Sequence, residues 1–488
     1  MASISNIGLN GSLYMGAQAL NANQIAIQTT VNNIANINTP GYVRQRANFS
    51  ATVQANGTSE IDDGTQISSI ENLSSSLLNT LVQQSLGSKG YADNQASLTS
   101  TVQNSLGEEF TANSSSSTSA TTQAGQGAIQ NSMTKFFTDV QDLANDPTST
   151  AQRQVVAQDA ETLSSNINDA YQRLQSTQAQ IASDASGITS QINQLSSQIA
   201  SLNKQVVEVQ ASGGNANGLE DSQQAAVEQL ASLVNISTTT ESDGSVTVSL
   251  ADNPNVTLVS GGNSNGAGST QSLSVSYSAT SNPPLTVSGS TTGSLGAGVP
   301  SSGSLGSDLD VANNVIGSPT SSGLLGQLNS VASALITAVN TQNAAGYDLN
   351  GNKGGTFFTG TDASDIAVSS GITSNPSTIA AASSAGDTLD GSNALAMSGL
   401  GSNSNILPAF QTMVSDLGET VSNAASNQTT QDQITQQVQN QQSSVSGVSI
   451  DEEMTNLINY QQSYAASARF LSTINSLYTT LLNTAPPN

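Results

Sequence analysis

The sequence predicts a mainly α protein carrying a small β insertion, and three observations predict it. Apolar residues recur in alternating steps of four and three at both ends of the chain and through much of its middle, as on paired helices. Alternation with period two is confined to residues 236–300. Charge is scarce: Asp, Glu, Lys and Arg make up 9% of 488 residues, against about 25% in an ordinary soluble domain.

From the N-terminus, Leu13, Ala17, Leu20, Gln24, Ile27, Val31 and Ile34 form a heptad seam on one helix. It stops at Asn36-Ile37-Asn38-Thr39-Pro40-Gly41, because Pro40 disfavours helix at Thr39. Pro40-Gly41 suits the centre of a type II turn, and Tyr42 to Phe49 reads as extended. A second seam runs through Val156, Ala160, Leu163, Ile167, Ala170, Leu174, Thr177 and Ile181. It shifts near Gly187, as at a stutter, and resumes through Ile188, Ile192, Leu195, Ile199, Leu202, Val206 and Val209. Gly213 and Gly214 end this rod, and a shorter helix follows over Leu219 to Val234.

Residues 236–300 differ in kind. Val246 to Leu250, Leu273 to Tyr277 and Leu285 to Val287 alternate, separated by Asp243-Gly244, Gly261-Gly262 and Pro283-Pro284. Residues 111–126 and 289–307 read as Ser, Gly and Thr connectors. Helix returns over Leu324 to Val339 and from Phe410 to Val445, the latter with Gln at seam positions. The last seam is Ile450, Met454, Leu457, Gln461, Tyr464, Ala468, Leu471, Asn475, Tyr478 and Leu482, with Arg469 beside Ala468. Ser449 and Glu452 suit a capping box, and Asp451, Glu452 and Glu453 place negative charge at the helix start. The layout is nested: paired coiled-coil ends (1–60 with 446–488), an elongated helical bundle (61–235 with 301–445), and an outer β domain (236–300).

Cys, His and Trp are absent, which removes disulfides, Cys/His metal sites, histidine bases and cysteine nucleophiles. No catalytic, cofactor-binding or metal-binding residue is expected. The net charge of −25 leaves no basic stripe for nucleic acid or an anionic membrane. No window approaches the ~18 apolar residues of a membrane span, and with Arg44 as the first basic residue there is no secretory signal pattern. Residues 1–43 carry no charge, nor do those after Arg469, so each end is a neutral helix that needs a partner to bury its stripe. Arg44 and Arg46 then read either as solvated strand residues or as partners for acids of a neighbouring subunit. Asp348-Leu349-Asn350-Gly351-Asn352 opens like a calcium loop, but Lys353 and Thr359 stand where Gly and Glu belong, which favours a glycine-rich hairpin. The acid pairs Asp62-Asp63, Glu108-Glu109 and Glu452-Glu453 are adjacent, and adjacent residues on a helix do not face each other.

The ends also carry a resemblance. Asn33-Ile34-Ala35-Asn36-Ile37-Asn38-Thr39-Pro40-Gly41-Tyr42 closely resembles a segment shared by the rod, hook and hook-associated axial proteins of bacterial flagella. Ser446 to Glu453, with Leu457, Tyr460-Gln461-Gln462 and Ala468-Arg469, is similar to their C-terminal helix; Ser467 departs from it, where those proteins commonly have Asn. Asn340 to Phe358, with Gly346-Tyr347-Asp348-Leu349-Asn350-Gly351, is similar to a segment of the FlgK-type hook-associated protein 1 family. The resemblance implies a structural, non-enzymatic subunit of the junction between hook and filament. It implies secretion by the flagellar type III apparatus, a place outside the cell in the flagellum, and self-assembly into a homo-oligomer by terminal helices that are largely unfolded beforehand. Implied partners are the hook protein, a second hook-filament junction protein and an export chaperone on the C-terminal helix. The assembly motif is then Asn33, Ala35, Asn36, Thr39, Pro40, Gly41 and Tyr42. Competing readings are a hook, rod or flagellin-like subunit, or a secreted adhesin using residues 236–300. Long helices between 150 and 210 disfavour hook and rod, the Thr39-Pro40-Gly41-Tyr42 turn disfavours flagellin, and the lack of Trp argues against sugar stacking.

Overall fold

The chain was analysed as a computed structural model, which describes residues 2–39, 41–56, 59–107, 128–261, 269–289, 293–294, 300–403 and 406–484. Helix α1 (Ala2–Ala35) is followed by an antiparallel hairpin of β1 (Gln45–Asn56) and β2 (Ser59–Asn72). Four helices come next: α2 (Ser76–Leu106), α3 (Ala128–Asn145), α4 (Thr150–Ala211) and α5 (Asn217–Leu233). The insertion contains β3 (Ile236–Thr240), β4 (Val246–Leu250), β5 (Thr257–Val259), β6 (Leu273–Tyr277), β7 (Leu285–Gly289) and β8 (Gly293–Ser294). After it come α6 (Gly303–Asp310), a π-helical turn over Val311–Ile316, and α7 (Leu324–Ala345). The short strands β9 (Phe358–Thr359) and β10 (Ala367–Val368) precede the short helices α8 (Ser370–Ser374), α9 (Ser392–Ser398) and α10 (Leu400–Asn403). The chain returns along α11 (Ile406–Ser446) and α12 (Ile450–Thr484).

The fold is mainly helical with small sheets. Residues 303–307, the end of the stretch 289–307 expected to be connector, instead begin α6, where Leu305 and Leu309 are buried. The connector 111–126 and the pair Glu108-Glu109 lie outside the described residues. Helix α4 is 62 residues long, so it extends about 93 Å at ~1.5 Å per residue. It starts where Ser149 Oγ accepts the Gln152 amide at 3.1 Å and ends where the Gly214 amide returns to the Val209 carbonyl.

The buried stripe of α4 follows the sequence seam from Val156 to Leu174 and then passes through Gln178, Ile181, Ala185, Thr189, Ile192, Ser196, Ile199, Asn203 and Val206. The expected Thr177, Ile188, Leu195, Leu202 and Val209 are only half-buried. The slip falls at Gln178, ahead of Gly187, and polar docking causes it. Gln178 Nε2 donates to the carbonyls of Ala312 and Gly317, both at 2.8 Å, and Asn203 Nδ2 donates to the Val246 carbonyl at 2.8 Å. A stripe chosen by apolarity alone passes beside these residues.

Two three-stranded antiparallel sheets, β3-β4-β5 and β6-β7-β8, make up the insertion. The period-two pattern finds β4, β6 and β7; β3, β5 and β8 were not expected. Asparagine side chains pin three of these strands by pairing with both the amide and the carbonyl of one strand residue. Asn203 does so with Val246, Asn193 with Leu273 and Asn313 with Leu285, at distances of 2.8–3.0 Å. Asn203 Oδ1 also accepts from Gln223 Nε2 at 2.6 Å, which ties α5 to the same point.

Near the other end of α4 the core is aromatic, with Phe136, Phe137, Phe357 and Phe358 in a chain of contacts 5.0–5.8 Å between ring centroids. Arg153, 1% exposed, donates to the carbonyls of Pro147, Ser377 and Ile379. Burial pushes its pKa down while Asp348 pulls it up. The segment compared with a calcium loop is a tight turn. Asp348 Oδ1 accepts the amides of Asn350 and Asn352, both at 2.8 Å, and Oδ2 accepts from Asn352 Nδ2. Its carboxylate is occupied by its own backbone. Asn203→Ala leaves Val246 and Gln223 without their partner; stability should drop by about 2–4 kcal/mol, read as a lower melting temperature with faster amide exchange at Val246.

Candidate assembly interface

Helices α1 and α12 lie antiparallel, since Asn33 meets Glu453 while Gly16 meets Leu471. At Gly16 the approach is close: a Cβ there would fall 2.7 Å from Leu471 Cδ1. The hairpin covers another side of α1. Thr52 Oγ1 reaches Gln18 at 3.2 Å, and Phe49 meets Tyr460 on α12 with ring centroids 5.9 Å apart.

The centre of the arrangement is Asn33, 1% exposed at the last turns of α1. Its Nδ2 donates to the Gln45 carbonyl at 2.8 Å and to Glu453 Oε2 at 3.1 Å. Its Oδ1 accepts from Tyr42 Oη at 2.8 Å and from the Gln45 amide at 2.9 Å. A primary amide offers two donors and two acceptor sites, and all four are used. Aspartate lacks the donors, and serine lacks the reach and number.

The rest of the motif turns the chain so that Tyr42 can return. Asn36 Nδ2 caps the Asn32 carbonyl and Thr39 Oγ1 donates to Asn36 Oδ1. The Tyr42 amide closes the turn on the Thr39 carbonyl at 3.2 Å, with Gly41 at φ +78°, the left-handed value of a type II turn's third residue. Pro40 lies outside the described residues, and Ala35 is exposed.

Beyond the turn the charged groups converge. Arg44 Nε donates to Glu453 Oε1 at 2.7 Å and its NH1 to Glu452 Oε2 at 2.6 Å. The Arg44 amide bonds the Ser446 carbonyl at 2.9 Å. Arg44 is therefore partnered within its own chain, not held for a neighbour, and Glu452 serves Arg44 rather than closing a capping box. Arg46 lies on the exposed edge against Asn48. Glu453, 2% exposed, is the one buried side chain of α12 among the described residues.

A third arm comes from α5. Asp221 accepts the Val43 amide at 3.3 Å and Asn72 Nδ2 at 2.8 Å, so it holds both strands of the hairpin where they leave the motif. Burial raises its carboxyl to about 6, helped by Glu220 and opposed by its two hydrogen bonds. Tyr42 is pushed up to about 12 by burial and by the charges of Asp221 and Glu453. Beside this node lies a cleft of about 270 Å³ between the motif, α2, α5 and α11, with Glu228 among its lining side chains.

The seams sit one step away from where apolarity places them. On α1 the buried positions are Gly16, Ala22, Asn23, Ala26, Thr29, Thr30 and Asn33, whereas Leu13, Leu20, Ile27 and Ile34 are half-buried and Val31 is exposed. Small side chains face inward because the hairpin and α12 approach closely, and the bulky residues are turned toward the rim. On α12 the most sheltered face is Glu453, Leu457, Tyr460, Ser467, Leu471, Ile474 and Tyr478. Leu457, Leu471 and Tyr478 belong to the expected seam, but Ile450, Met454, Tyr464, Ala468 and Arg469 are exposed.

Both ends of the chain match profiles of flagellar axial proteins. A profile of the flagella basal body rod protein matches residues 13–42, and one of the C-terminal region of the flagellar basal body rod FlgEFG protein matches residues 429–484. The profile of the flagellar hook-associated protein FlgK helical domain matches residues 115–358, half of the chain, and the chain belongs to that family. Flagellar hook-associated protein 1 of Bacillus subtilis is 26% identical over 520 residues, spanning 97% of this chain and 98% of that protein. Its counterpart in Salmonella typhimurium is 28% identical over 595 residues, spanning 99% and 100%. The solved flagellar hook junction protein FlgK from Burkholderia pseudomallei shares the fold, with a TM-score of 0.61 and 18% identity over 75% of this chain and all of that one. The protein is a structural component of the bacterial flagellum and not an enzyme.

Asn33→Ala strands Tyr42 Oη, the Gln45 amide and Glu453 together and should cost about 3 kcal/mol, measured by denaturant unfolding; Asn33→Asp should do no better because it cannot donate. The pH dependence has a definite sign. Asp221 at about 6, and Asp308, raised to about 7 by burial between α2 and α6, keep their protons in the fold after the unfolded chain has released its own. Stability should therefore fall as pH rises from about 4 to about 7 and then level off, and Asp221→Asn with Asp308→Asn should flatten that decline in a series of melts.

Proposed function

We propose that this chain is a structural subunit of the hook-filament junction, joining its copies through α1 and α12. One observation carries the reading. The terminal pair leaves Tyr14 and Val31 on α1, and Met454, Ile458, Phe470, Leu477, Leu481 and Leu482 on α12, in solvent. Apolar side chains in such number on one rod mark a surface made for protein contact, and helices as poor in charge as α1 and the part of α12 beyond Glu453 pack against copies of themselves with little charge to strand. The names of the relatives, hook-associated protein 1 and hook junction protein, support the same place in the flagellum.

On this reading residues 1–60 with 446–488 form the assembly part, 61–235 with 301–445 the helical bundle, and 236–300 an outer lobe. The hook protein and a second junction protein are its axial neighbours, a chaperone covers α12 before export, and the assembled protein lies outside the cell. The family match over residues 115–358 favours this over a hook, rod or flagellin-like subunit. Cells lacking the chain should build complete hooks without filaments and shed filament protein into the medium, as seen by microscopy and immunoblot. Leu477→Ser with Leu481→Ser should reproduce that phenotype with helix content unchanged by circular dichroism. Normal filaments on the deletion strain would overturn the reading.

A further inference from the structure

The unit formed by α1, the hairpin and α12 is tied to the rest of the chain by two covalent crossings. Residues 73–75 link β2 to α2, and residues 447–449 link α11 to α12. Neither crossing is helix or strand. At the second, the Gly447 amide closes α11 on the Ser443 carbonyl at 2.8 Å, and a Cβ on Gly447 would collide with that oxygen. Only a residue without a side chain fits the break.

No apolar core spans these crossings. The connected core of buried apolar side chains runs from α2 to α11, and among the described residues it takes none from α1, β1, β2 or α12. The terminal unit buries Ala22, Ala26 and Ala47 apart from it. Two bodies move against each other unless a large apolar interface joins them.

Hydrogen bonds do the joining, and five of them reach one short stretch of the bundle, residues 215–221. Asp221 accepts the Val43 amide at 3.3 Å and Asn72 Nδ2 at 2.8 Å, so one carboxylate grips both legs of the hairpin. The Ile70 carbonyl accepts from Asn215 Nδ2 at 3.1 Å and from Asn217 Nδ2 at 3.0 Å, and Asn72 Nδ2 also reaches the Asn217 carbonyl at 3.4 Å. The seat is imperfect. Asn72 Oδ1 is buried with no partner among the described residues, and an unpaired buried acceptor is a cost that exposure to water removes. Beside the seat, the Gly41-Tyr42-Val43 turn faces Ala225 and Glu228 of α5 across the cleft of about 270 Å³, so the turn is not wedged against that helix.

We propose that the terminal unit is a hinged arm, which swings on the bundle about residues 73–75 and 447–449, and that Asp221 is the latch holding it in the orientation seen here. Release exposes polar groups to which water offers substitute hydrogen bonds. The node of Asn33, Tyr42, Arg44 and Glu453 lies wholly on the arm, so the arm moves as one piece about a few residues at element ends. The swing belongs to the single chain, whether or not it joins its copies.

The chain has no cysteine, so introduced thiols carry spin labels without competition. Gln462 of α12 and Gln229 of α5 are both exposed. In the full chain, Gln462→Cys with Gln229→Cys should give one narrow distance distribution by double electron-electron resonance. Adding Asp221→Ala should widen that distribution at least about twofold. A pair inside the arm, Gln28→Cys with Ser476→Cys, also at exposed positions, should stay narrow in both backgrounds. An unchanged arm-to-bundle distribution in the Asp221→Ala chain would overturn the latch, and so would a broad one while Asp221 is still present. Broadening of the pair inside the arm would mean unfolding in place of a swing, and would overturn it equally. As a second variant, Asn72→Ala opens the same latch from the arm side and leaves α5 untouched. It should widen the arm-to-bundle distribution likewise; if only the α5 variant does so, the effect belongs to α5 and the latch is refuted.

Discussion

A chain this poor in charge has to satisfy its buried backbone with neutral side chains, and the primary amide is the group that can do it. An asparagine placed on a helix presents a donor and an acceptor side by side, as a strand edge does, and it can take both the amide and the carbonyl of one extended residue. Five places among the described residues use this pairing: Asn33 with Gln45, Asn340 with Phe358, Asn193 with Leu273, Asn203 with Val246, and Asn313 with Leu285. The first fastens the hairpin to α1, the second fastens β9 to α7, and the last three fasten the insertion to helical residues of α4 and the π-helical turn. Where these pairings hold β9 and the insertion strands, helix and strand meet without an ion pair; at Asn33 the buried Glu453 and its partner Arg44 stand beside the amide.

Where charge is used, it is concentrated. Arg44 and Glu453 stand 409 positions apart in sequence and meet at 2.7 Å, next to the fully bonded Asn33. Asp221 adds a third chain segment to the same point. The node joins the start of α12, the end of α1, the hairpin and α5, so the direction in which the terminal rod leaves the bundle depends on a few polar atoms. The small residues inside that rod, Gly16, Ala22 and Ala26, make the contact close but contribute little burial of their own.

Helices α1, α4, α5, α7, α11 and α12 and the insertion strands β4, β6 and β7 were legible in the sequence because periodicity reports them directly, whereas α2, α3 and the equally long β3 were not; the motif residues Asn33, Asn36, Thr39 and Tyr42 were legible by resemblance. Rotation about the helix axes was not. The apolar stripe on α1 lies one residue from the buried one, and on α12 seven of the ten seam positions are exposed, because side chains with hydrogen-bonding duties took inner positions. Arg44 and the acid pair at 452–453 each stood out, as the first charge after a neutral run and as charge at a helix start, but nothing in the linear order says that they meet. Asp221 gave no signal at all, being one acid in an ordinary helical stretch.

The amide pairs have a consequence for the medium in which the molecule can work. Dissolved ions weaken attraction between exposed charges over a distance of about 8 Å at physiological ionic strength, yet they have little hold on a neutral donor meeting a neutral acceptor in a dry contact. The moorings of the insertion to α4 and the π-helical turn by Asn193, Asn203 and Asn313 are of this neutral kind, so added salt should loosen them little.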